Sequence, residues 1–344
     1  MKKIFKSLWP YLRVLLSLLL LWLAIRNIDW KTLTQTQIAM QPGWLILAWI
    51  LMTGANLMAT VRWAFLMRSL GLNQSWWTFI TLYFTGGLIN QGLPSTIGGD
   101  SYRVVEGSRG TRTASSPPLT SLSEELHQPI DLHQAPPRLR LGFLAVTLDR
   151  GLGLIGNNIL GAIGLIAGGA MIGDWAQPLG AWVLAAMLGG SAFACALLAF
   201  KGSTAFIQKI IIKLGMPSAM SGLRMAFGWP ALLPQMILSV TTHTLATVAF
   251  LMCLRAFGAT VSFEALMIGL PALGLLMMLP ISISGWGLRE ATLSAVLTLW
   301  GVDAGVTVLA SVCFGLVSVV TYLPSAVSLL KRRNSAASHS PTDK

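Results

Sequence analysis

Two short stretches of this chain set arginine and carboxylate beside a proline break. The first runs Asn90-Gln-Gly-Leu-Pro-Ser-Thr-Ile-Gly-Gly-Asp-Ser-Tyr-Arg103, joining Asn90, Pro94, Gly98, Gly99, Asp100 and Arg103, with Glu106 one turn on. The second runs from Leu279 through Pro280, Ser282, Ser284, Gly285 and Gly287 to Arg289 and Glu290. Laid over each other with a shift of 186 residues, they share Leu-Pro, then Ser/Thr, Ile, Gly and Arg at the same offsets. A helix broken at proline and glycine exposes unpaired N–H and C=O groups, and helix N-termini attract anions. Arginine adds bidentate recognition of phosphate. The chemistry these residue types support is capture of an anion, such as a phosphate-bearing lipid headgroup. The plainer alternative is that Arg103 and Arg289 pair with Asp100 and Glu290 and lock the fold. Asp149 and Arg150 form a third contributor, adjacent ionisable residues near the start of an apolar segment that also holds Asn157 and Asn158. Embedded in a membrane such a pair points to function; at the interface it only snorkels.

Other chemistries find no residues. The chain has no phosphate loop with its Lys-Ser/Thr, no His-Glu-x-x-His, no nucleophile elbow and no Cys-x-x-Cys. The reading names no catalytic residue, no metal site and no cofactor. Cys195, Cys253 and Cys313 lie in apolar runs, as small buried hydrophobes do. His127 and His133 are six residues apart, which is not a same-face helical spacing.

The elements that position these residues are membrane helices. The chain is 54% hydrophobic and 10% charged over 344 residues, against about 25% charged in soluble domains. Its net charge of +12 falls between apolar runs and at the ends. That matches the positive-inside rule and anionic headgroups rather than nucleic acid. Leu8–Ile25 reads as a retained first helix rather than a cleaved signal, because Arg13 interrupts it and no small-residue cleavage site follows. Further apolar runs are Gly43–Leu66, with Thr53, Asn56, Thr60 and Arg62, then Trp76–Leu93, Leu141–Met171 and Trp182–Phe200. Ala231–Leu254 carries Ser239, His243 and Thr247 as a polar stripe; Phe263–Leu279, Ala291–Trp300 and Gly305–Leu330 complete the set. Residues 111–140 read as a polar, mobile loop and 201–229 as an amphipathic interfacial segment. Residues 334–344 read as a disordered tail.

Lysine and arginine placement puts both termini and the 111–140 loop in the cytoplasm. Arg62, Arg68 and Arg103 must then share one side, so residues 76–100 enter and leave on that side, turning at Pro94 and Gly98-Gly99. The expected fold class is all-α: one polytopic transmembrane bundle over 1–333, with about eight spans plus re-entrant or broken helices, built on an internal repeat.

On Asn90-x-x-x-Pro94 with Gly98-Gly99-Asp100 and Arg103, on Asp149-Arg150, and on Pro280-x-Ser-x-Ser-Gly-x-Gly287 before Arg289-Glu290, the chain resembles the lysylphosphatidylglycerol synthase transmembrane family of flippase-like domain proteins. The resemblance covers residues 1–333. It implies a polytopic bacterial inner-membrane protein that binds membrane lipids and acts in moving an anionic phospholipid or polyprenyl-phosphate-linked substrate between leaflets. The best-understood relatives join this domain to a soluble aminoacyl-transferase, which has no counterpart here. An intramembrane enzyme acting on a lipid headgroup, or a scaffold for a partner synthase, is the alternative.

Overall fold

The computed structural model describes residues 40–92, 97–109, 136–168, 186–192, 219–228, 230–277 and 284–337, with isolated positions at 15, 19, 22, 26, 183 and 282. Expectations for Leu8–Ile25, for 111–135, for most of Trp182–Phe200 and for 201–218 lie largely or wholly outside them. So do Pro94 and Pro280.

Among the described residues the regular structure is helical. The order is α1 Pro42–Ser69, α2 Trp76–Gly92, α3 Ile97–Ser108, α4 Pro137–Gly168 and α5 Ala219–Phe227. Then come α6 Leu232–Ala256, α7 Phe263–Leu276, α8 Leu288–Thr298, α9 Ala304–Tyr322 and α10 Pro324–Ala337. Four of these, α1, α4, α6 and α9, are long and apolar enough to cross a membrane. Two boundaries differ from expectation. The proline at 137 opens α4, so the last residues of the supposed 111–140 loop are helical; α10 runs to Ala337, past the supposed start of the tail. The last apolar run is also broken at Leu323, and Pro324 opens α10, as expected of a residue that lacks a backbone donor.

Local chemistry sets the ends. After α1, α6 and α8 the chain turns through Gly71 (φ +80°), Gly258 (φ +74°) and Gly301 (φ +74°). Each turn makes the paired amide-to-carbonyl bonds of a left-handed cap, such as Gly71 N–H to Arg68 and Leu72 N–H to Met67. Ser262 and Asp303 cap the starts of α7 and α9, accepting from Ala265 and Val306.

The helix directions define the architecture. α1 and α6 are antiparallel: Gln41 N–H donates to the Ala256 carbonyl, Gly54 lies against Leu245, and Arg62 reaches Ser239. α2 and α3 form a hairpin. Phe79 packs on Trp63 near the C-terminal end of α1, Gly86 abuts Gly99, and Gly107 returns to Trp63 and Met67. Both legs therefore open toward the end of the bundle that holds the C-terminus of α1. The two legs thus enter and leave at one end, as the shared side expected for Arg62, Arg68 and Arg103 requires.

α7 and α8 form a second hairpin from the opposite end. Gly168, Gly164 and Gly161 at the C-terminal end of α4 meet Glu264, Met267 and Pro271 in turn, so α7 starts at that end. α8 runs back toward it, with Leu293 and Val296 beside Gly269 and with Leu297 and Val302 in a core shared with Ala48 and Leu254. The expectation of about eight spans treated these two segments as crossing helices. At 14 and 11 residues they are legs of about 21 and 16 Å, too short to cross. The hairpin tips meet where Ser284 Oγ donates to Gln91 Oε1 at 2.9 Å.

Two hydrophobic cores follow from this plan. One gathers Trp63, Phe79, Tyr102 and Phe227 around the first hairpin; the other gathers Phe250, Leu266, Leu293 and Leu297 around the second. α9 passes both. Its Tyr322 ring rests where a side chain on Gly87 would stand, meets Phe84 edge-on, and donates to Asn56 Oδ1 at 2.7 Å. Asn56 is thereby an interhelical link, while Thr53 and Thr60 bond back to carbonyls of their own helix. Tyr322→Phe is expected to cost about 1–3 kcal/mol, because it strands a buried acceptor. Thermal unfolding of the purified variant in detergent measures it; a loss below about 0.5 kcal/mol would mean that water takes the hydroxyl's place.

Candidate functional site

Beside the first hairpin three helices bring charge together. Arg62 comes from α1, Asp100 and Arg103 from α3, and Asp149 and Arg150 from α4. Asp149 is the centre. Its Oδ1 accepts from Arg62 Nε at 2.9 Å and its Oδ2 from Arg103 Nη2 at 2.7 Å. The three residues are 4%, 4% and 1% exposed. Arg62 Nη1 also donates to Ser239 Oγ on α6 at 2.6 Å, and Ser239 donates on to the Leu152 carbonyl of α4. A buried carboxylate between two guanidinium groups is stable only with such full pairing.

The expected unit Asp149-Arg150 does not exist as a pair. Neighbouring residues on a helix point about 100° apart, so Asp149 faces inward while Arg150 turns to Asp100. Arg150 makes a two-pronged contact there, Nε to Oδ2 at 2.8 Å and Nη2 to Oδ1 at 2.9 Å. The same Oδ1 lies 3.4 Å from Arg103 Nη1. The Arg150 side chain is 51% exposed and that of Asp100 20%.

Glycines and aromatic rings hold Arg103 in place. Gly86 and Gly99 let the hairpin legs touch, and Asn90 Oδ1 accepts from the Gly99 amide at 2.8 Å. Gly98 is half-buried beside it. The Arg103 stem passes over Gly86, and its Cζ lies 4.5 Å from the Trp63 ring centroid and 4.4 Å from that of Tyr83. The two rings form a wedge, with centroids 6.1 Å apart and planes tilted by 53°, and cation–π attraction favours the guanidinium there. Among the described residues Arg103 Nε has no hydrogen-bond partner.

The second motif builds a different, closed cluster. Glu290 Oε1 accepts from Arg289 Nη2 at 2.7 Å and from Ser311 Oγ of α9 at 3.1 Å; Glu290 Oε2 accepts from the Gly287 amide at 2.6 Å. Arg289 lies 4.9 Å from the Trp286 ring and fills the space left by Gly315. The loop before it holds Ser284 (φ +49°), Gly285 (φ +81°) and Gly287 (φ +80°), backbone that suits glycine and strains serine. Ser282 is half-buried nearby in sequence.

The expected site residues thus divide. Asn90, Gly99, Asp100, Arg103, Asp149 and Arg150 share one network. Arg289, Glu290 and Gly287 share another, and no hydrogen bond or ion pair among the described residues joins Arg103 to Arg289. The bridge between motifs is Ser284 to Gln91. Arg62, Ser239, Trp63, Tyr83 and Ser311 complete the two networks and were not singled out as site residues from sequence. Two of them had a signal: Arg62 is an arginine inside an apolar run, and Ser239 lies in the polar stripe of its helix.

A family model described as the lysylphosphatidylglycerol synthase TM region matches residues 11–326. No curated protein matches the chain, and no solved structure does.

Proposed function

We propose that this chain, which belongs to the lysylphosphatidylglycerol synthase TM-region family, binds the anionic headgroup of a phospholipid or lipid-linked substrate and carries it, or helps to carry it, across the membrane. One observation supports this most. In the first cluster three arginines face two aspartates, which leaves one positive charge over. An uncompensated charge away from water is costly, and a phosphate diester would balance it. Arg103 Nε and the half-exposed Arg150 are the donors available to it. The Arg289–Glu290 cluster balances its own charge, so it serves as a pin for the second hairpin rather than as a headgroup contact.

The two hairpins are read as halves of an inverted repeat, the arrangement by which transporters place a binding site between broken helices. The mouth of the first hairpin lies on the cytoplasmic side, with both termini, in a bacterial inner membrane. A scaffold for a partner synthase would need no free donor at Arg103, and an intramembrane enzyme would need converging carboxylates. Asp100 and Asp149 are each held by arginine, and Glu290 shares no bond with them.

The test is reconstitution into liposomes carrying fluorescent anionic lipids. The protein is expected to speed their exchange between leaflets, and Arg103→Gln to lower that rate about tenfold or more, the scale of losing a charged contact of about 1.5–3 kcal/mol. Exchange at the protein-free rate for every lipid tried would overturn autonomous translocation and favour the scaffold; full activity of Arg103→Gln would remove Arg103 from the headgroup site.

A further inference from the structure

The least sequestered acid of the first cluster occupies the place an anionic ligand would take. Asp100 receives Arg150 through both nitrogen prongs at 2.8 and 2.9 Å, which is the geometry a guanidinium offers to phosphate. Its Oδ1 also leans on Arg103 Nη1 at a slack 3.4 Å. The carboxylate is therefore lodged between the two arginines whose donors are incompletely used. Asp149 is held otherwise: its side chain is 2% exposed and both oxygens make short bonds to buried arginines. Asp100 is 20% exposed and sits in the first turn of α3. Beside it, Arg103 Nε is buried without a partner among the described residues.

We infer that the Asp100 carboxylate is an internal stand-in for the ligand: it occupies the anion position in the empty protein and is displaced when a phosphate-bearing headgroup binds Arg103 and Arg150. This rests on the anion-binding reading above and adds a sign to it. If Asp100 were a plain structural partner, neutralising it would loosen the cluster and weaken binding. If it competes for the arginines, neutralising it removes the competitor, and the apparent affinity rises by the inverse of the fraction of time the site is free.

Asp100→Asn keeps the size and one acceptor while removing the charge. The experiment titrates purified wild type and Asp100→Asn, in zwitterionic micelles, with a short-chain phosphatidylglycerol and separately with inorganic phosphate. Asp100→Ser is carried in parallel in case the asparagine variant does not fold. The charge-neutral variants are expected to bind the lipid about five- to tenfold tighter than wild type. Tightening for the lipid alone identifies a headgroup as the ligand; tightening for phosphate as well identifies the free anion as sufficient. Equal or weaker binding by the folded variants, with wild type binding normally, would overturn the competitor role and leave the anion site standing. Failure of wild type and variants to bind either probe would overturn both.

Discussion

Asp149→Ala is expected to destabilise the protein by about 3–5 kcal/mol, the cost of leaving buried guanidinium groups without their counter-ion. Arg62 and Arg103 both end on this carboxylate, and each is 4% exposed. Water cannot replace Asp149 without opening the contact between α1, α3 and α4. The measurement is thermal or denaturant unfolding of the purified variant in detergent. Arg150→Ala sets the scale, because its exposed pair with Asp100 should contribute about 1 kcal/mol or less. A loss of similar size from Asp149→Ala would mean that the cluster is hydrated. A combined variant separates support from function: Arg62→Met, Arg103→Met and Asp149→Leu together remove the buried carboxylate and the two guanidinium groups that end on it. Replacement of a buried ion network by apolar residues of like volume is often neutral or stabilising. The triple variant should therefore regain most of the stability that Asp149→Ala loses, while lipid exchange stays lost.

Much of this was legible in the sequence, for reasons that also mark where legibility stops. The first hairpin followed from Pro94 and Gly98-Gly99 together with the requirement that Arg62, Arg68 and Arg103 share a side. The second was not, because the stretch from Phe263 to Trp300 is apolar enough to count as crossing segments. Their shortness is visible only once Ser284, Gly285 and Gly287 are seen to turn the chain at positive φ. The arginine and acid residues were found, and Asp100 with Arg103 and Arg289 with Glu290 do pair, but the main partners of Asp149 and Arg150 lie elsewhere. Adjacency suggested Asp149 with Arg150, and Asp100 with Arg103. Helical geometry argues against the first pairing, since residues one apart diverge on the surface. The true partner of Asp149, Arg62, is 87 residues away, and no local pattern encodes such a distance. Ser239 lay in a recognised polar stripe, yet nothing in that stripe said which of its members would meet an arginine. Ser239 does so, while Thr247 bonds back to its own helix.

The pairing across helices also explains why the two similar motifs build unequal clusters. Both motifs deliver an arginine early in a helix, Arg103 in α3 and Arg289 in α8. In the second the acid follows at once, at Glu290, and the arginine's own neighbour closes the cluster with Ser311 and the Gly287 amide. In the first no acid follows Arg103 directly, so the guanidinium must reach another helix for Asp149. The excess of one positive charge arises there, and the same asymmetry ties the first cluster to the placement of the first hairpin.

Gly99→Ala is therefore expected to have the largest effect of any single added methyl group in the first hairpin. A Cβ at Gly99 would overlap the Gly86 carbonyl oxygen and Asn90 Oδ1, and a backbone oxygen cannot swing aside as a side chain can. The legs must separate, which breaks the Asn90-to-Gly99 bond and shifts Arg103, one turn further along α3, off Asp149 and out of the Trp63–Tyr83 wedge. Overpacking of this kind costs about 3 kcal/mol or more when the backbone has to move, and misplacing a binding group by about 1 Å can cost a hundredfold in rate. Gly92→Ala is the control. It ends the other leg, α2, with nothing within 4 Å of its would-be Cβ, so alanine there should be neutral or stabilising by up to about 1 kcal/mol. Unfolding and lipid exchange measured on both variants decide the matter. If Gly99→Ala matches Gly92→Ala in both, the tight contact of the legs does not position Arg103, and the cluster must owe its geometry to α1 and α4 alone.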